Sequence, residues 1–276
     1  MKLRWMVAIL VLTFLFVLMP FLFWQATWFG KPLDSAEIEK ALADREHPRE
    51  IQHALSQVAD RILAPDQATR ASARPFYPAV MRIAETGTPE LRLTAAWVMG
   101  QDNTVPEFHD RLLRLLRDGS PMVRRNAALS LVRFGDPAGR DEIRSLLAPY
   151  SMPSPYDGTL SQRLRPGDAV NPGTLVGHVV AGSGAEAAER ELRSDVPGQI
   201  NRWLAAERAP VTEGQPILLI DPSPAEVFEA LRALFLIGEQ QDLPAVEQFL
   251  RGTAVPENIR QQAQATAEAI RSRPPQ

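Results

Sequence analysis

The chain has 276 residues, a formal net charge of −3 and no cysteine. That length allows one or two modest domains beyond a membrane segment. The balanced charge gives no general nucleic-acid signal. The missing cysteine excludes disulfides, thiolate metal sites and cysteine nucleophiles.

In chain order, a short basic tail, Met1 to Arg4, precedes a stretch from Trp5 to Gly30 without a charged residue. Trp5 to Trp24 alone would make ~30 Å of helix, the thickness of the hydrocarbon core. Trp5 at one end and Trp24 and Trp28 at the other suit the two interfacial belts. The run is long for a signal peptide, and no small-x-small site follows it cleanly, so a retained transmembrane helix is expected within 1–33. The basic tail places the N-terminus in the cytoplasm of a bacterial host. The bulk of the chain is then periplasmic, on the inner membrane.

From residue 34 to 150 the pattern is helical. Asp34 followed by Glu37 reads as a capping box. Ile51, Ala54, Leu55, Val58 and Ile62 keep helical spacing after Pro48. Thr88-Pro89-Glu90-Leu91-Arg92 and Ser120-Pro121-Met122-Val123-Arg124 then repeat at an offset of 32 residues, each with alanines following. Each copy has a Ser/Thr at the N-cap and proline at the first helical position. Ile259-Arg260-Gln261-Gln262-Ala263 restates the motif. The recurrent arginine is expected to be a structural ladder, bonding carbonyls or acids of the next repeat.

The helical pattern stops at 151 and resumes at Ser223. Between them Gly158, Leu160, Leu164, Val170 and Gly173 match Gly198, Ile200, Leu204, Val211 and Gly214. Short β-type runs between Gly and Pro-Gly turns predict strands in two copies of one unit. Removing the 72 residues 151–222 places Val227 32 residues after Val123, and Ile259 follows a further 32 residues on. The β unit is therefore expected as an insertion between Asp141–Leu147 and Pro224–Gly238, with helical repeats continuing over 223–276.

The helical repeat resembles HEAT repeats, in the short form of phycobilin-lyase-type proteins. The insert is similar to the lipoyl/biotinyl domain and to the barrel-sandwich hybrid of membrane-fusion adaptors. These resemblances imply a mainly α solenoid carrying a small all-β barrel-sandwich insert. A carrier domain would hold its cofactor on a lysine in the segment Ala181 to Arg190, but no lysine occurs after Lys40. Lipoyl or biotinyl attachment is thus excluded, and no cofactor is expected. Adaptors carry a long helical hairpin at the same point, where this sequence offers a short linker.

Chemistry-bearing constellations are sparse. His47, His53, His109 and His178 show no metal-ligand spacing, and His47 is expected to cap the helix after it. Glu186, Glu189, Arg190 and Arg193 read as a solvated linker, and Asp157 and Asp168 as turn residues. Trp97 is expected in the core. Trp203, whose counterpart is Arg163, is expected to face outward with Leu204 as a protein contact. No catalytic, cofactor or metal residue is predicted. The sequence therefore reads as a non-enzymatic, membrane-anchored scaffold or accessory subunit with a protein partner. A divergent efflux or secretion adaptor is the alternative, and a lyase-like enzyme the third.

Overall fold

Proline sets where most of the helices begin. A computed structural model describes residues 32–182, 188–252 and 255–273, with residues 5, 12–16, 18 and 19 of the N-terminal segment. Most of the Trp5–Trp24 span lies outside the described residues. Among those residues no helix is long and apolar enough to cross a membrane.

The chain divides into two units, 1–98 and 99–276. In the first, α1 (Ser35–Ala43) opens on the Asp34–Glu37 capping box the sequence predicts. There follow α2 (Pro48–Ile62), the short α3 (Gln67–Ala71), α4 (Tyr77–Thr86) and α5 (Pro89–Met99), whose last residue belongs to the second unit. Proline lies in the first turn of α2, α4 and α5, where its missing N–H costs nothing. Ile38, Leu42, Leu55, Val58, Val80 and Ile83 are buried in this unit.

The second unit begins with α6 (Pro106–Leu115), α7 (Pro121–Arg133) and α8 (Arg140–Ser145). After the β insert come α9 (Pro224–Ile237), α10 (Leu243–Arg251) and α11 (Glu257–Ser272). Ile143, Leu146 and Leu147 from before the insert share one core with Val227, Leu231 and Leu234 from after it. Ala263, Ala267 and Ile270 of α11 close that core. The helical body is thus continuous in space where the sequence is interrupted.

The recurrent arginines do form a ladder, but within their own repeats. Arg92 donates to the Gly87 carbonyl at 2.8 Å and Arg124 to Gly119 at 3.3 Å. Arg260 donates to Gly252 at 3.0 Å and reaches Val255 at 3.5 Å. Each guanidinium satisfies carbonyls of the loop that leads into its helix, which carry no ladder bond of their own. Arg124 also meets an acid of the next helix, Glu142, at 3.3 Å. Ser120 stands at an N-cap position but makes no side-chain cap bond.

The insert has eight strands. They are β1 (Tyr150–Pro153), β2 (Gly158–Gln162), β3 (Ala169–Val170) and β4 (Leu175–Ala181), then β5 (Ala188–Arg193), β6 (Gly198–Trp203), β7 (Pro210–Val211) and β8 (Pro216–Asp221). They form two four-stranded antiparallel sheets, ordered β1-β8-β6-β3 and β5-β4-β2-β7. Exchanging the two copies of the repeat turns one order into the other. The copies interlock, because Gly158 pairs with Val211 and Val170 with Gly198. Matching bonds recur: Ser154 Oγ donates to the Tyr156 carbonyl at 2.7 Å, Ser194 Oγ to Val196 at 2.6 Å. Leu160, Ile200, Val170 and Val211 lie in one core shared by both sheets.

Two expectations need correction here. The sheets do not close into a barrel. The segment read as a linker is strand β5, which pairs with β4 from Arg193 to Ala188. Its Glu189, Arg190, Glu191 and Arg193 are exposed and only Leu192 is buried, so the strand had no apolar alternation to show. The first and last strands, β1 and β8, pair directly. The chain therefore enters and leaves the insert about one strand spacing (~4.8 Å) apart, which is what lets it sit between α8 and α9.

Candidate interaction surface

β2 and β6 end at the same place in their respective copies. Beyond β2 the Arg163 and Leu164 amides donate to the Val176 carbonyl, and beyond β6 the Leu204 amide donates to Ile217. The Trp203 indole N–H donates to the Leu164 carbonyl at 3.0 Å. The fold therefore brings Arg163, Leu164, Trp203 and Leu204 together. Arg163 is exposed and Leu204 is 43% exposed.

Trp203 does not project outward as a free contact. It is half-buried and packs against the insert's core. A methyl on Gly177 would just touch its ring at 3.4 Å but would lie 2.5 Å from the Ser161 carbonyl oxygen, so it is strand β2 that requires the glycine. The other copy places Leu218 where Gly177 stands and Arg163 where Trp203 stands. Trp203, in the second copy, bonds Leu164 of the first and so ties the two copies. Trp203→Ala is expected to cost roughly 2–3 kcal/mol, somewhat below the loss for a fully buried tryptophan. Trp203→Phe, which loses the N–H and part of the bicyclic ring, should cost less, about 1–2 kcal/mol. Urea unfolding of the purified chain checks both. An alanine variant as stable as the parent would show that the ring serves no packing role.

A second constellation joins the insert to the helices. Arg125 of α7 is 5% exposed. Its guanidinium donates to Glu226 of α9 at 2.7 Å and lies 5.6 Å from the centre of the Tyr150 ring on β1. Burial lowers the guanidinium pKa, while Glu226 and then Glu142 oppose the shift. The Tyr150 hydroxyl donates to Asp195 at 3.4 Å. Burial, then the Asp195 charge, push that phenol up to about 12. Burial also raises Asp195, opposed by the Tyr150 hydrogen bond and by Arg124. Met122 of α7 packs against the insert's core beside this network. These opposed charges join α7, α9 and β1 as a structural junction between the helices and the insert.

The remaining candidates are placed as follows. Trp97 is 38% exposed on α5, so the core expectation fails and the tryptophan joins the list of surface contacts. Leu93, its helical neighbour, is only half-buried, which puts this face of α5 at the margin of the core. Phe235 and Leu236 are also exposed on α9, beside a groove of about 480 Å³ lined in part by Pro137, Ile270 and Arg273. His47 caps nothing, and its ring instead meets Asp44 at 2.8 Å. His109 meets Asp136 at 2.6 Å and His178 meets Glu189 at 3.4 Å. Asp168 accepts from the Arg165 amide, the turn role expected of it, whereas Asp157 accepts from the Glu213 amide of the other copy. One set of metal-ligating side chains, Asp44, His47 and Glu50, converges where sequence spacing had indicated none.

A comparison with curated proteins finds no match. The crystal structure of an engineered protein, a Northeast Structural Genomics Consortium target, aligns with a TM-score of 0.42 at 15% identity. That alignment covers 85% of this chain and 78% of the other. A family model for HEAT repeats matches residues 77–150, which span α4 to α8 and reach the first residue of the insert.

Proposed function

We propose that the chain is a non-enzymatic, membrane-anchored scaffold or accessory subunit that binds another protein of the bacterial cell envelope. The observation that carries this reading is the run of HEAT repeats at 77–150. Stacked helix pairs present extended, rigid surfaces suited to protein partners. Trp97 is exposed within that run, and tryptophan is among the commonest interface anchors. In the insert, Arg163 and Leu204 supply the second proposed contact, with Trp203 behind them as their support. The proposed domain map is an anchor at 1–33, helical repeats at 34–150 and 223–276, and a lipoyl-like module at 151–222. The motif doubling and the interlocked sheets support the last of these.

The adaptor alternative finds less support. β4 and β5 pair as far as Ala181 and Ala188, leaving residues 182–187 between them. Six residues cannot build two antiparallel helices, each of which needs several turns. An enzyme would need a nucleophile or an acid–base pair facing a cleft.

The anchor proposal rests on the charge-free run Trp5 to Gly30 and the basic tail before it. A reporter enzyme that matures only after export, fused behind Gln276, is expected to be active and to pellet with inner membranes. An inactive exported reporter, with a cytoplasmic one active at the same position, reverses the orientation. Soluble fusions would remove the anchor.

A further inference from the structure

The turn between α1 and α2 gathers side chains that neither the helical packing nor the scaffold reading uses. Asp44 sits at the C-cap of α1, His47 at the N-cap of α2 and Glu50 in the first turn of α2. One ligand atom from each lies within 4.8 Å of the other two. Asp44 Oδ1 accepts from the amides of Glu46 and His47, at 2.6 and 3.1 Å, which fixes the carboxylate. Its Oδ2 then stands 2.8 Å from His47 Nδ1. The Glu50 carboxylate makes no hydrogen bond or ion pair among the described residues. Arg45 and Arg49 make none with these carboxylates either.

Charge adds to the geometry. The Glu46 amide, then the His47 ring, hold Asp44 down to about 2, so it is an anion at neutral pH. The Asp44 hydrogen bond and charge, followed by the Glu50 charge, raise His47. A metal ion would bind the ring in its neutral form. Metal–ligand bonds of ~2.0–2.1 Å in a tetrahedral set place ligand atoms roughly 3.3 Å apart, so Oδ2 and Nδ1, now 2.8 Å apart, need only a small separation.

We propose that Asp44, His47 and Glu50 form a binding site for a divalent transition-metal ion at the α1–α2 turn. One imidazole and two carboxylates suit Zn²⁺ and its neighbours better than Mg²⁺ or Ca²⁺, which take oxygen ligands alone. Three protein ligands leave the remaining position to water. The bound ion ties the end of α1 to the start of α2, and it stabilises the folded chain by mass action.

The test is titration of the full-length chain with Zn²⁺ against a chromophoric chelator, with circular dichroism confirming that each variant is folded. One ion per chain is expected. His47→Ala and Glu50→Gln should each weaken binding by ~10-fold or more. His53→Ala, which changes a histidine outside the triad, should bind as the parent does. Zn²⁺ should raise the melting temperature of the parent and not that of His47→Ala. Absence of saturable binding, or binding that survives His47→Ala unchanged, overturns the proposal. None of these outcomes depends on the scaffold reading.

Discussion

Arg125→Ala is expected to destabilise the second unit by about 3–5 kcal/mol, the usual cost of stripping one partner from a buried ion pair. The Arg125 and Glu226 side chains are 7% and 14% exposed, so water cannot take the lost partner's place. Arg125 also has the Tyr150 ring on one side and Met122 beside it, so alanine opens a void at the insert boundary. Glu226 doubles as the capping-box residue of α9, accepting from the Ser223 amide at 3.1 Å. Arg125→Met combined with Glu226→Gln keeps the volume and that acceptor and removes both charges. It should recover most of the loss, because a buried pair replaced as a whole is often nearly neutral. Chemical denaturation of both variants measures the difference. A single variant within about 0.5 kcal/mol of the parent would make the pair dispensable.

Gly198→Ala is expected to unfold the insert and leave the helices standing. Gly198 has a φ of +152°, and a Cβ there would lie 2.1 Å from the Asp221 carbonyl oxygen. The obstacle is backbone of the paired strand β8, which cannot move aside without breaking the sheet. Strain of ~1–3 kcal/mol from the backbone and a similar amount from overlap exceed what a small module can absorb. Hydrogen exchange should show amide protection lost over 150–221 and kept in α9 and α11. Protection lost evenly across the second unit would contradict an independent module at 151–222.

The helical repeat was legible because it recurs. Pro89 and Pro121 open α5 and α7 as their shared motif predicts, and the return to register at Val227 located the insertion. The glycines Gly158 and Gly198 marked equivalent points in two copies, and the structure gives both a φ of +152°. What stayed hidden was whatever lacked an apolar pattern. Strand β5 is an edge with one buried side chain, so its sequence looked like linker. Sheet closure is likewise decided by strand pairing across the copies, which no local window contains. Trp203 was misplaced because its surroundings come from the other copy: Leu164 and Gly177 are distant in sequence and adjacent in space. The Asp44–His47–Glu50 cluster escaped a search for paired histidines because it contains only one.

Under the proposed function, exposed positions on the repeats and the insert dock one protein partner. Photo-crosslinking residues placed at positions 97, 163 and 204 in the full-length chain, in intact cells, test it most directly, with position 232 as an exposed control on α9. One discrete adduct of the same mass shift is expected from position 97 and from at least one of 163 and 204, and none from 232. Leu204→Glu should abolish the adduct from position 163, and Arg163→Glu that from position 204, while leaving the melting temperature unchanged, since both side chains are solvent-facing. Diffuse adducts from all four positions, or no adduct from any of them, would contradict it.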